Sequence, residues 1–471
     1  MEKTTLTKSS LNLFITNIFP RTLTLISLPI FLRLIDDDIW GEISFLLAIQ
    51  LIFSNILLFG SESAGLRFFA SFDKDKKTKL KNKNIFISLF AVVFLLLILE
   101  YLIGEQLFNK FNTVYGLPAK LSILTIFFLV SNRQLVSYFK STNKTLVIKK
   151  SIYTESLATI FFQFFFVIFI VRNFGFDDRM LASAYFLGQL LGNGLRMLYL
   201  TRRLNLEADS RFKKSDASIN RYALFGYLFS IFSVMLTWQD RLIIQYFFEA
   251  DTVAHYSTVY RLTDLHGVVI GASISGVAPF FWNLKSKEVN IEKVFKSILS
   301  ASVLLGLAGV AMFEIFGRFY LPDNYQYAIQ YVPIIAIGMI FSSWGSLFAL
   351  DLDKRFKNKQ RALSMFLAFL VNLFINLLFI EKYGIIIAAI SSTVAYFCSM
   401  SWNIYKSKIS LNNIIGLPAL FNFLLIYLFY LIFYTFNMES YMISLTFMIY
   451  AFYFLIKEIK NFIIISKRLT L

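Results

Sequence analysis

Cysteine occurs once, at Cys398, and histidine twice, at His255 and His266. One thiol excludes an internal disulfide and a thiolate metal centre, and two imidazoles exclude a histidine-rich one. Charge is scarce too: 16% of residues are Asp, Glu, Lys or Arg, against about 25% in a soluble domain. The remainder is apolar, with 57% hydrophobic residues and a mean hydropathy of +0.64. This is the composition of an integral membrane protein. Phe (55) and Tyr (24) are abundant, but so are Ile, Lys and Asn, which fits A/T-biased codon usage better than an aromatic ligand box. No motif for a metal, a cofactor or a catalytic nucleophile is present, so none of the three is expected.

A helix needs about 20 mostly apolar residues to cross roughly 30 Å of hydrocarbon. About fourteen stretches qualify: 10–34, 41–61, 84–103, 117–139, 151–171, 180–200, 222–247, 254–282, 294–316, 329–350, 362–380, 384–405, 414–436 and 441–463. They are continuous runs rather than alternating ten-residue strands, so an all-α polytopic protein is expected and a β-barrel is not. The N-terminus has the basic-then-apolar order of a signal peptide but no A-x-A site, and reads as the first, uncleaved span. With a cytoplasmic N-terminus, most of the 46 Lys and Arg fall in inner loops, at 67–83, 140–150, 202–221, 285–296, 354–361, 406–408 and after 457. Outer loops instead carry acidic clusters such as "IDDD" (35–38). This positive-inside pattern puts both termini in the cytoplasm. It also assigns the net charge of +17 to anionic inner-leaflet lipid, not nucleic acid.

A trace of duplication runs through the chain. "DIWGEIS" (38–44) and "DTVAHYS" (251–257) open the second and eighth spans, and "FKSTNKT" (139–145) and "FKNKQ" (356–360) follow the fourth and tenth. Six spans separate the copies, so the halves are parallel repeats about an axis along the membrane normal. The expected organisation is a six-helix lobe at 1–203, a cytoplasmic linker at 204–221, a second six-helix lobe at 222–405 and two additional helices at 406–471.

Within the spans, "MLTWQDRLIIQYFF" (235–248) sets Asp240 beside Arg241 in apolar sequence. A charged side chain at mid-membrane costs roughly 2.5–3.5 kcal/mol on insertion scales. Five basic residues lie inside spans, Arg21, Arg133, Arg196, Arg241 and Arg261, and all are arginine, which forks onto phosphate and carboxylate and stays charged. At about 1.5 Å per residue, Arg21 is about 16 Å deep, Arg133 about 9 Å and Arg196 about 6 Å from the inner ends of their helices. Arg241 and Arg261 each lie about 10 Å from outer ends. They form a ladder suited to an anionic substrate. Structural accounts compete: Arg196 snorkelling to inner headgroups, and Arg241 and Arg261 pairing with Asp264 and Asp240 across spans 7 and 8. Asp240 and Arg241 cannot satisfy each other, since helical neighbours do not share a face.

Face analysis favours a wet lining. Ser230, Ser233, Thr237 and Asp240 share one face of span 7, with Trp238 and Arg241 beside them; Ser257, Arg261, Asp264, Gly271 and Ser275 form a stripe on span 8. Gly267, Gly271 and Ser275 also have small-xxx-small spacing, which serves close packing equally well. Pro20, Pro29 and Pro279 are candidate kinks. Trp238, Asp240, Asp264 and His266 are candidates for ion coupling or for the polar cavity wall, and Glu314 has no assignable partner.

"TWQDRLIIQYFFEADTVAHYSTVYRLTDL" (237–265) resembles the Trp-x-Asp-Arg/Lys, Tyr-Ser, Tyr-Arg-Leu stretch of the polysaccharide transporter family. That family belongs to the multidrug, oligosaccharidyl-lipid and polysaccharide exporter superfamily. "FLRLIDDDIWGEISF" (31–45), "YQYAIQYVPIIAIG" (325–338) and "NLFINLLFIEKYGIIIAAISSTVAY" (372–396) fit the same pattern in order. "FIEKYG" departs from it in lacking a proline before the glycine. The resemblance implies two lobes working by alternating access and a flippase, not an enzyme. Its substrate would be an undecaprenyl-pyrophosphate-linked oligosaccharide such as an O-antigen or capsule repeat unit. The site would be the bacterial inner membrane, with a polysaccharide polymerase or other assembly proteins and membrane lipids as partners. Two alternatives stand beside it: a drug or cation exporter of the same superfamily, which favours acidic cavity residues, and a polymerase-type membrane enzyme, which needs a larger outer loop.

Overall fold

The structure is a computed structural model and describes residues 3–59, 62, 89, 90, 93, 116–141, 144–174, 178–204, 216–283 and 291–409. The expected spans 414–436 and 441–463, and most of 84–103, lie outside the described residues. Eleven α-helices occur among those described: α1 (Lys3–Leu34), α2 (Asp37–Ile56), α3 (Leu117–Ser141), α4 (Thr145–Phe174), α5 (Asp178–Arg203), α6 (Asp216–Phe247), α7 (Ala250–Asn283), α8 (Ile291–Tyr320), α9 (Val332–Lys354), α10 (Asn358–Tyr383) and α11 (Ile386–Lys406). A 3₁₀ segment, Asp323–Tyr331, precedes α9. No strand occurs among the described residues. Five stretches are long and apolar enough to cross a membrane: Asp37–Ile56, Leu117–Ser141, Thr145–Ile170, Asp323–Lys354 and Asn358–Tyr383. The protein is multi-pass.

Helix ends follow local chemistry. Asp37 and Asp38 occupy the first turn of α2, where carboxylates complement the positive end of the helix dipole. Gly384 ends α10 at φ 76, its N–H on the Ile380 carbonyl at 2.8 Å, a conformation that costs glycine no Cβ clash. The departure "FIEKYG" therefore still makes a helix stop. Pro20, Pro29 and Pro279 all fall within continuous helix. The linker expected at 204–221 is shortened, because α6 already begins at Asp216.

The chain divides into two compact units, Thr22–Ser257 on the one hand and Met1–Arg21 with Thr258–Leu471 on the other. In the first, α5 packs on both α3 and α4. Gly188 and Gly192 make the α4 approach close: a Cβ at Gly188 would lie 2.5 Å from the Gln163 backbone nitrogen, and one at Gly192 would overlap Thr159. In the second unit, α11 packs on both α9 and α10 in the same way. There a Cβ at Gly338 would meet Thr393 at 2.9 Å, and the Asn372 amide donates to the Ser391 and Ser392 hydroxyls at 3.1 Å. Small residues and shared hydrogen bonds are how helices associate where lipid removes the hydrophobic drive. Each unit thus repeats one arrangement, α5 against α3 and α4 in the one and α11 against α9 and α10 in the other.

The outward faces are apolar. Leu157, Phe161 and Phe165 on α4, and Phe374 and Leu378 on α10, are exposed, as lipid-facing side chains are.

Within unit Thr22–Ser257, α2 also packs on α6, a helix of the second half by sequence. Gly41 of α2 sits directly on the Ala250 carbonyl at the start of α7, leaving no room for a side chain. Beside it His255 Nε2 lies 3.2 Å from an Asp37 carboxylate oxygen.

Candidate functional site

The stretch that places charge in apolar sequence is resolved by aromatic rings. Arg241 is fully buried on α6; its Nη1 donates to the Thr237 carbonyl at 2.6 Å, one turn back. Its guanidinium lies 4.4 Å from the Trp238 ring centroid and 5.8 Å from that of Tyr256 on α7. The Tyr256 hydroxyl donates to Asp240 at 2.8 Å, and Asp240 is likewise buried. One tyrosine therefore serves both charges, as a ring for the cation and as a donor for the anion. The side chain of Asp264, the expected partner of Arg241, lies outside the described residues. Arg241 and Asp240 are both enclosed in this structure.

A second group of charges gathers where α2, α3 and α6 meet. Arg133 of α3 donates through Nη1 to Asn55 Oδ1 at 2.8 Å and pairs through Nη2 with Glu62 at 2.7 Å. Asn55, near the end of α2, is itself fixed: its amide donates to the Leu51 carbonyl at 2.8 Å, and its Oδ1 also accepts from Ser230 of α6 at 2.9 Å. The Tyr227 hydroxyl donates to the Ile56 carbonyl at 2.9 Å, satisfying an acceptor that the helix end leaves free. Arg133 and Glu62 are each about one-third exposed (33% and 34%), so neither side chain is enclosed.

Arg196 of α5 pairs with Glu155 of α4 and is more enclosed, at 13% and 19% exposure. Lys140, exposed in the last turn of α3, is within electrostatic reach of Glu62, Arg133 and Arg196. Among the described residues, three cations and two carboxylates thus occupy one neighbourhood of the unit. Neither Glu62, Asn55 nor Glu155 was singled out by the sequence. Glu155 was findable: at about 1.5 Å per residue it lies about 6 Å into span 5, the same depth as Arg196 in span 6.

The remaining candidates belong to the other unit. Arg21 is exposed on α1, and Arg261 is half-buried on α7. His266 is buried; its Nε2–H donates to the Ser302 carbonyl of α8 at 2.7 Å, while Trp344 of α9 donates to the Ser302 hydroxyl at 2.7 Å. That knot joins three helices. The five arginines accordingly differ in burial and partners.

Residues 6–285 match the polysaccharide biosynthesis protein family. The chain belongs to that family. The "Probable low-salt glycan biosynthesis flippase Agl15" of Haloferax volcanii is 23% identical over 235 residues, covering 48% of this chain. The chain spans about half the length of that relative (49%). Among solved structures, the lipid II flippase MurJ in an inward closed conformation superposes with a TM-score of 0.66 at 12% identity, covering 98% of this chain and 99% of that one. An inward-facing MATE multidrug transporter of the MOP superfamily gives a TM-score of 0.57 at 14% identity over 85% of this chain and 93% of its own. The fold of this family member is therefore that of a polytopic helical transporter.

Proposed function

We propose that the chain is a flippase that carries undecaprenyl-pyrophosphate-linked oligosaccharide repeat units from the inner to the outer leaflet of the bacterial cytoplasmic membrane by alternating access. The observation that carries this reading is Arg133: a guanidinium inside a span, fixed on one edge by Asn55 and part-exposed on the other, where it meets Glu62. Membership of the polysaccharide biosynthesis protein family supports the glycan class, and the relative named as a glycan flippase supports the reaction. Arg196 and Lys140 add positive charge beside it. Arg21 and Arg261 are proposed as further contacts along the path, with His266 and Trp238 as polar groups of the coupling machinery. A six-helix division at 1–203 and 222–405, cytoplasmic termini, and a polymerase or other assembly proteins as partners complete the proposal. A cation exporter is disfavoured by the excess of cations over carboxylates among the described residues around Arg133.

Complementation of a deletion strain, scored for surface glycan at matched membrane abundance, tests the reading. Loss of one charge-assisted forked contact weakens engagement about tenfold, so Arg133→Ala should lose most surface glycan. Arg133→Lys should restore only part, because an ammonium cannot hold Asn55 and a phosphate in one plane. Full glycan from Arg133→Ala would refute the assignment.

A further inference from the structure

We infer that Glu62 is an exchangeable counter-ion, neutralising Arg133 until the pyrophosphate of the lipid carrier displaces it. This rests on the flippase reading above. The two edges of the Arg133 guanidinium differ in kind. Nη1 is on the neutral Asn55 oxygen, which is held by Leu51 and Ser230 and stays where it is. Nη2 is on a carboxylate that is 34% exposed. A phosphate oxygen can therefore take the place of the Glu62 oxygen on Nη2 while Asn55 keeps the arginine aimed. The displaced carboxylate is not stranded, since Lys140 remains within electrostatic reach of it.

The contrast with Arg196 sharpens the point. Its pair with Glu155 lies between two packed helices and is more enclosed than Arg133–Glu62, at 13% and 19% exposure against 33% and 34%. Of the two pairs, Arg133–Glu62 is the one built to exchange. Among the described residues, Arg133 and Lys140, both on α3, carry charge near Glu62.

Exchange makes an unusual prediction: removing the acid should improve binding. Full-length protein purified in detergent would be titrated with undecaprenyl pyrophosphate, with undecaprenol and inorganic pyrophosphate as comparison probes. Glu62→Gln should bind undecaprenyl pyrophosphate about two- to fivefold tighter than wild type, the strength of a part-exposed ion pair. Glu62→Ala, which leaves no hydrogen-bonding group, should do the same, and both should bind undecaprenol as wild type does. Unchanged or weaker binding in both variants overturns the exchange, provided wild type prefers the pyrophosphate lipid and Arg133→Ala loses that preference. If wild type shows no such preference, the flippase reading fails instead. Inorganic pyrophosphate competing as well as the lipid would overturn the lipid headgroup as the ligand.

Discussion

Inside α6 the desolvation of Arg241 is offset by Trp238, Tyr256 and its own Thr237 carbonyl, and Asp240 is held by the same tyrosine. A desolvated cation–π contact is worth about 2 kcal/mol, and leaving a buried acceptor short of its donor costs about 1–3 kcal/mol. Tyr256→Phe should therefore lower the thermal stability of the purified protein by about 1–3 kcal/mol, and Tyr256→Leu, which also removes the ring, by more. Equal melting of the two variants would show that the ring does not stabilise Arg241. From sequence the charges were visible but their partner was not: Tyr256 lies sixteen residues from Asp240, on the next helix, and its place in the Tyr-Ser of the family-like stretch does not say what it touches. Periodicity shows which face a residue occupies. It does not show which neighbour that face meets.

At the scale of elements, span boundaries were legible because hydrocarbon forces backbone polar groups into helices. The helices overrun the expected ends, as α6 does at Asp216 and α9 at Lys354, because nothing obliges a helix to stop where its apolar run stops. The 3₁₀ segment at Asp323–Tyr331 was not legible; the apolar run suggested a span from 329, whereas the α-helix begins at Val332 with proline in its first turn. Pairing between elements was half legible, as Arg196 and Glu155 show. Their contact bridges α4 and α5 beside the Gly188–Gly192 approach. Reversing it should separate a structural role from a substrate role. Arg196→Glu and Glu155→Arg should each reduce membrane abundance, and the double reversal should recover it. A double reversal as scarce as the single variants would argue against the pair as an element-level clasp.

For the whole molecule, loop charge is the determinant, and the orientation it implies is open to direct measurement. In a Cys398→Ser background, single cysteines at Asp37, Asp177 and Glu439 should react with an impermeant thiol reagent on intact cells. Cysteines at Lys79, Lys213 and Lys357 should react only after permeabilisation. Labelling of the lysine set from outside would invert the topology. Sequence symmetry suggested a boundary near the linker, yet the compact unit runs from Thr22 to Ser257 and includes α6 and the first turns of α7. The reason lies in contacts no repeat can announce: Tyr227 and Ser230 reach the end of α2, and Ala250 and His255 reach its beginning.

Gly41 is the tightest of those contacts, with the Ala250 carbonyl where its side chain would be. Its value lies wholly in what it omits, so no chemistry distinguishes one replacement from another there; size alone does. In a saturation scan under selection for surface glycan, such a position forms a column depleted from alanine upward, without the conservative exceptions that Arg133 would show for lysine. A column of that kind is easily mistaken for a binding site. Here it would mark the seam along which α2 lies against the start of α7, and the silence of every substitution would be geometric.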